Sequence, residues 1–138
     1  MPRAYYDRGA LYRHVGEADK ALADFRKALS LRPLYIDALY GVADVLSSKG
    51  DYENSLAACT KITEVDRFDE RGYRCLAEQY IKQNQTDQAL KTYQKATTLM
   101  PDSITVWKEL ASLYERLGMS AEANAAHERA SSNLRRSR

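Results

Sequence analysis

The chain has 138 residues, room for one ordinary domain and too few for two. Hydrophobic residues at 44% and charged residues at 29% make a folded, water-compatible composition and exclude a disordered polar chain. A formal net charge of +2 gives no broad electrostatic pull toward nucleic acid or an anionic membrane. No apolar run nears the roughly 18 residues that suggest a bilayer span, and the opening MPRAYYDRGA lacks the apolar stretch of a signal peptide. The expectation is a cytoplasmic protein without membrane insertion. Cys59 and Cys75, with no CxxC spacing and no histidine pair nearby, read as free thiols in a reducing compartment.

Displacing the sequence by 34 residues superposes like on like, and this period divides the chain into segments 2–35, 36–69, 70–103 and 104–137 of a single domain, 1–138. In the first segment Tyr5, Gly9 and Tyr12 alternate large, small and large on one face of a helix. Gly16 then stops that helix, because glycine enters the left-handed region freely. A second helix carries Ala21, Phe25 and Ala28, and Pro33 ends it. The second segment repeats this with Leu39, Ala43, Leu46, Gly50 and Ser55, but Cys59 holds the aromatic phase, Ile62 the small phase and Arg67 the proline phase. There Asp66 and Asp69 supply the stop, with Asp69 the N-cap of the next helix. The third segment follows with Tyr73, Ala77, Tyr80, Ala89, Tyr93, Ala96 and Pro101. Asn84 takes the turn phase, as the residue that best tolerates that backbone after glycine, and Asp102 is the expected N-cap beyond Pro101. The fourth reads Trp107, Ala111, Tyr114, Gly118, Ala123, His127 and Ala130. Each hairpin leaves an apolar face that only stacking on a neighbour can bury.

This pattern resembles the tetratricopeptide repeat: an aromatic, Leu-Gly or Leu-Ala, Tyr and a turn Gly, then Ala, an aromatic, Ala and a closing Pro. The resemblance covers essentially the whole chain. It implies an all-α solenoid of four helix-turn-helix hairpins in a right-handed superhelical array. Arg8 at a leucine phase and His127 at an aromatic phase read as polar ends that meet water. The family often adds a capping helix, and SSNLRRSR at 131–138 is too short for one, so an end covered by a partner, a second copy or a longer array is expected.

Nothing in the chain forms a catalytic constellation. His14 and His127 fall at different phases, and no phosphate-cradling glycine loop, HExxH or nucleophile elbow occurs. Cys75, beside Arg71 and Arg74, reads as a small half-buried residue rather than a reactive thiol. The expectation is a non-enzyme that needs no metal or cofactor.

In the resembled family the first helices line a concave face that holds ligand segments. One row there is Tyr6, Tyr40, Arg74 and Lys108, running from aromatic to cationic. Others begin with Arg3, Asp37 and Arg71, or continue through Asp44 and Glu78. These nine residues are the expected partner-binding groove. The family's carboxylate clamp for chaperone tails would need lysine, asparagine and arginine where this chain has Tyr6, Ala10, Gly41 and Cys75, or Tyr40, Asp44, Cys75, Thr105 and Glu109, and only Arg71 would serve. The row of inner asparagines seen in glycosyltransferase-type arrays reads Asp7, Gly41, Cys75 and Glu109 instead. The chain therefore reads as a scaffold for a protein or peptide segment of another kind. Self-association through the open ends or convex face is the alternative. RNA binding has only the tail Arg129, Arg135, Arg136 and Arg138 behind it, without a basic stripe, and no nucleic acid is expected.

Overall fold

A computed structural model describes residues 1–138 as eight helices: α1 (Pro2–His14), α2 (Ala18–Leu31), α3 (Ile36–Ser48), α4 (Tyr52–Val65), α5 (Glu70–Lys82), α6 (Thr86–Leu99), α7 (Ile104–Arg116) and α8 (Ser120–Arg136). Consecutive helices pair as hairpins, and each hairpin stacks on the next. The turn inside every hairpin is the same Schellman motif. Gly16, Gly50, Asn84 and Gly118 lie at φ 83°, 81°, 60° and 74°. Their N–H groups reach back to Arg13, Ser47, Ile81 and Glu115, and the next N–H groups to Tyr12, Leu46, Tyr80 and Tyr114. Open space surrounds the site of a Cβ at the three glycines, so backbone conformation alone requires the residue type.

Small residues set the approach within hairpins as the period predicts. Gly9, Ala43, Ala77 and Ala111 are buried, as are Ala21, Ser55, Ala89 and Ala123 opposite them. Ser55 satisfies its hydroxyl by donating to the Ala43 carbonyl at 2.7 Å. Between hairpins, Phe25 is wedged fully buried against two glycines. A Cβ on Gly9 would lie 3.0 Å from its ring, and one on Gly41 only 2.8 Å.

The next junction holds a correction. Cys59 and Cys75 are joined in a disulfide, with Cα atoms 5.6 Å apart, and no free cysteine remains. Cys59 is one period beyond Phe25 and Cys75 one period beyond Gly41, so the bond occupies the slot where ring meets glycine one junction earlier. The expected free thiols are absent, and with them the thiol-based ground for a reducing compartment. The corresponding pair at the third junction is Tyr93 and Glu109.

Three further expectations need revision. Ser103, not Asp102, caps α7, accepting from the Val106 N–H at 3.2 Å. Asp69 caps α5 as expected, accepting from Arg71 N–H at 3.0 Å. Arg8 is not simply a polar end residue: it donates to both oxygens of buried Asp24, at 2.7 and 2.8 Å, between the rings of Tyr5 and Tyr12. Nor is the N-terminal end polar. Leu11 and Val15 are 67% and 68% exposed, whereas Val45 and Leu113, at the phase of Leu11, are 1% and 2% exposed.

The wedge and the carboxylate anchors can each be tested. Alanine in place of glycine inside an unconstrained helix gains about 1 kcal/mol, yet Gly41→Ala should lower the unfolding free energy, because its Cβ meets a ring that has nowhere to go. In a Phe25→Leu background the loss should shrink or reverse. Urea titration of the four proteins in this cycle is the check; a stabilised Gly41→Ala single variant would contradict the wedge. Acid should also weaken the fold. Hydrogen bonds from Arg8 and Arg71 hold the carboxyls of Asp24 and Asp69 below the usual range. Their stabilisation is present above an unfolded aspartate's pKa of about 3.9 and is lost as pH falls through the lower folded values. Asp69→Ala should cost about 1 kcal/mol at pH 7, and in melts across the acid range the gap from wild type should narrow as pH falls below the unfolded aspartate's value.

Candidate functional site

The first helices α1, α3, α5 and α7 lie side by side, and polar side chains bridge from each to the next. Arg13 donates to Asp44 at 3.2 Å across α1 and α3. Arg71 donates to Asp37 at 2.7 Å and Lys82 to the Ser47 hydroxyl at 2.7 Å across α3 and α5. Arg74 and Glu109 pair at 3.5 Å across α5 and α7. Arg71 is held further by Asp69, at 2.8 and 3.1 Å. These carboxylate hydrogen bonds raise its already high pKa, so it remains charged at any working pH.

The nine groove residues expected from the sequence therefore separate. Arg3, Asp37 and Arg71 meet at one recess of about 460 Å³ near Tyr35 and Arg32. Tyr40, Arg74 and Glu78 meet at another, of about 380 Å³, completed by Ile81, Lys82, Tyr93, Glu109 and Arg116. Tyr6 is drawn into packing, its ring 5.7 Å from Phe25 and 5.3 Å from Tyr35. Asp44 is tied to Arg13, and Lys108 lies exposed outside both recesses. Arg3 also pairs with Asp7 at 3.2 Å.

Sequence reasoning missed Tyr93 and Arg116. Rows drawn along first helices leave out Tyr93, which comes from α6 and reaches the recess at the third junction. Its phase carried the signal, since Phe25 reaches Gly41 in the same way. Tyr93 is 4% exposed and its hydroxyl makes no hydrogen bond to the protein. Burial, then the nearby Glu109 carboxylate, push its pKa well up, so it is a neutral O–H donor.

Nothing else in the molecule gathers reactive groups. No three His, Cys, Asp or Glu side chains stand where they could hold a metal ion, and no helix is long and apolar enough to cross a membrane. His127 contacts Glu115 at 2.5 Å on the surface. The tail arginines are engaged locally: Arg129 over the Trp107 ring at 5.5 Å, Arg135 with Glu128 at 3.2 Å and Arg136 with Asp102 at 3.4 Å.

Comparison with known proteins agrees with this architecture. Tetratricopeptide repeat models match residues 2–35 and 36–69, and a TPR repeat model matches 77–118. The general transcriptional corepressor trfA of Dictyostelium discoideum is 27% identical over 120 residues, 86% of this chain and 9% of that protein. The protein O-mannosyl-transferase TMTC1 of Homo sapiens is 30% identical over 102 residues, 74% of this chain and 12% of that protein. The chain thus spans only a small fraction of the length of such relatives. Among solved structures, MamA 41-end from Desulfovibrio magneticus RS-1 superposes with a TM-score of 0.77 at 24% identity, covering 98% of this chain and 76% of that one. TTC0263, a thermophilic TPR protein of Thermus thermophilus, gives 0.75 at 22%, covering 94% and 73%. At these identities the likeness speaks for the fold alone. With its four hairpins, their shared turn motif and three family matches along its length, the chain belongs to the tetratricopeptide repeat family.

Proposed function

We propose that the chain is a protein-interaction scaffold whose concave face holds a segment of a partner protein. The observation that carries this is the 380 Å³ recess between α3, α5 and α7, where Tyr40, Arg74 and Glu78 gather beside apolar Ile81. Most charges on this face, Arg74 with Glu109 and Glu78 with Lys82 among them, are engaged in ion pairs that stiffen the surface. A preorganised face loses less entropy when a segment docks. The recess thus combines aromatic area for affinity with charge for orientation.

A double variant Tyr40→Ala, Arg74→Glu removes the aromatic contact and reverses the charge at the recess. Used as bait, it should lose the partners that wild type captures, while the exposed α6 substitution Lys95→Glu keeps them. An unchanged set of captured partners would reject the groove.

A second reading has its own observation. Leu11 exposes on α1 the position that Val45 of α3 and Leu113 of α7 bury against the preceding hairpin, and Val15, just past the end of α1, adds a second exposed apolar side chain. The opposite end shows polar Asn124, His127 and Ser131 at the phases of Leu22, Phe25 and Leu29. Self-association, where it occurs, should use the α1 end. Light scattering after size exclusion should then find wild type larger than a monomer and Leu11→Glu, Val15→Glu monomeric. A wild type that stays monomeric at high concentration removes this role.

A further inference from the structure

We propose that the recess between α3, α5 and α7 receives the carboxylate of a glutamate or aspartate side chain within the bound segment, which accepts hydrogen bonds from the Tyr93 hydroxyl and the Arg116 guanidinium. This rests on the reading of the concave face as the partner groove and specifies what that groove selects.

The hydroxyl of Tyr93 is the first ground. The residue is 4% exposed, lines the recess and has no protein hydrogen-bond partner. The oxygen itself is not sealed from solvent, so a charged acceptor on the ligand takes the place of water there and makes the stronger hydrogen bond. Charge is the second ground. The recess is lined by three cations, Arg74, Lys82 and Arg116, and two carboxylates, Glu78 and Glu109. Arg74 stands 3.5 Å from Glu109 and Lys82 3.8 Å from Glu78, while Arg116 has no carboxylate within ion-pair reach. One cation and one phenol O–H are thus left over, both donors. An acceptor with negative charge satisfies the two together, whereas a lysine of the partner would add donors to a site already rich in them, and a backbone carbonyl would accept without balancing the charge.

The shape favours a side chain over a chain terminus. Tyr40 and Ile81 line the recess beside the polar groups, offering aromatic and apolar surface to the residues flanking an acidic one. Neither Tyr93 nor Arg116 occupies a position of the family's chaperone-tail clamp.

Titration of the ¹⁵N-labelled full chain with a capped pentapeptide, acetyl-Gly-Leu-Glu-Leu-Gly-amide, tests this. The expected result is amide shifts confined to the parts of α3, α5, α6 and α7 around the recess, and binding roughly tenfold tighter than that of the same peptide with glutamine at its centre. Tyr93→Phe keeps the buried ring and should weaken the glutamate peptide by roughly tenfold while leaving the glutamine peptide unchanged, as should Arg116→Gln. Equal binding of the two peptides, shifts elsewhere, or no shifts at all would overturn the proposal. So would a glutamine peptide with a free C-terminal carboxylate that binds as tightly as the capped glutamate one. If these fail while partner capture still depends on Tyr40 and Arg74, the groove stands and only the carboxylate chemistry is lost.

Discussion

Everything in this array depends on how closely a second helix can approach the first helix of the next hairpin. No hairpin buries its own apolar face, so the junction sets both stability and spacing. The same slot is filled differently each time. Phe25 lies on Gly41, Cys59 is bonded to Cys75, and Tyr93 stands beside Glu109, whose carboxylate helps keep the phenol protonated. A ring against a bare backbone, a covalent bond and a polar pair place neighbouring first helices close enough for Arg13 to reach Asp44, Arg71 to reach Asp37 and Arg74 to reach Glu109. The concave face is therefore a consequence of packing beneath it, and its polar bridges follow from the spacing that packing enforces.

The fold was legible in the sequence because its signals are local and repeat. A left-handed residue at every turn and a small residue at every close approach are demands of the backbone, and they show at one period of 34. Contacts between columns were harder to see. Cys59 and Cys75 belong to different phases, so aligning like with like never brings them together. The clue was Phe25 and Gly41, a large and a small residue at the same separation one repeat earlier. Arg8 was misread for a related reason: its partner Asp24 lies across the hairpin, and only that buried carboxylate makes an arginine at a leucine phase a structural anchor.

The groove was half legible. The period assigns positions on first helices to rows, but a row of charges cannot say which will pair with a neighbour. Asp37, Arg71 and Asp44 turned out to be bridging residues, and Tyr6 went into packing against Phe25 and Tyr35. What remains available lies at the third junction, where the slot residue is a tyrosine rather than a phenylalanine or a cystine. One oxygen atom changes the character of that junction. A phenylalanine there would leave the recess floor apolar, whereas Tyr93 presents a donor the protein itself leaves unused.

The second junction offsets its polarity differently. Gln79 sits 3% exposed at the phase where α3 has Val45 and α7 has Leu113, and its side-chain oxygen has no partner. Gly72, on the same face of α5, contributes no side chain at all and packs its backbone against Ile62 and Thr63. This interface thus holds a polar side chain where the corresponding faces of α3 and α7 hold valine and leucine, beside a close backbone approach at Gly72. The Cys59–Cys75 bond crosses it, and a cross-link closing a loop of about 15 residues stabilises by about 3 kcal/mol in the chain-entropy account. That is the same order as the cost of one buried unsatisfied polar group. The covalent link and the unpaired Gln79 oxygen lie at the same junction, so the disulfide offsets the cost of a buried polar atom there. Loss of that link should loosen α5 against α4 before it disturbs either flanking hairpin, and α5 carries Arg74 and Glu78 into the recess.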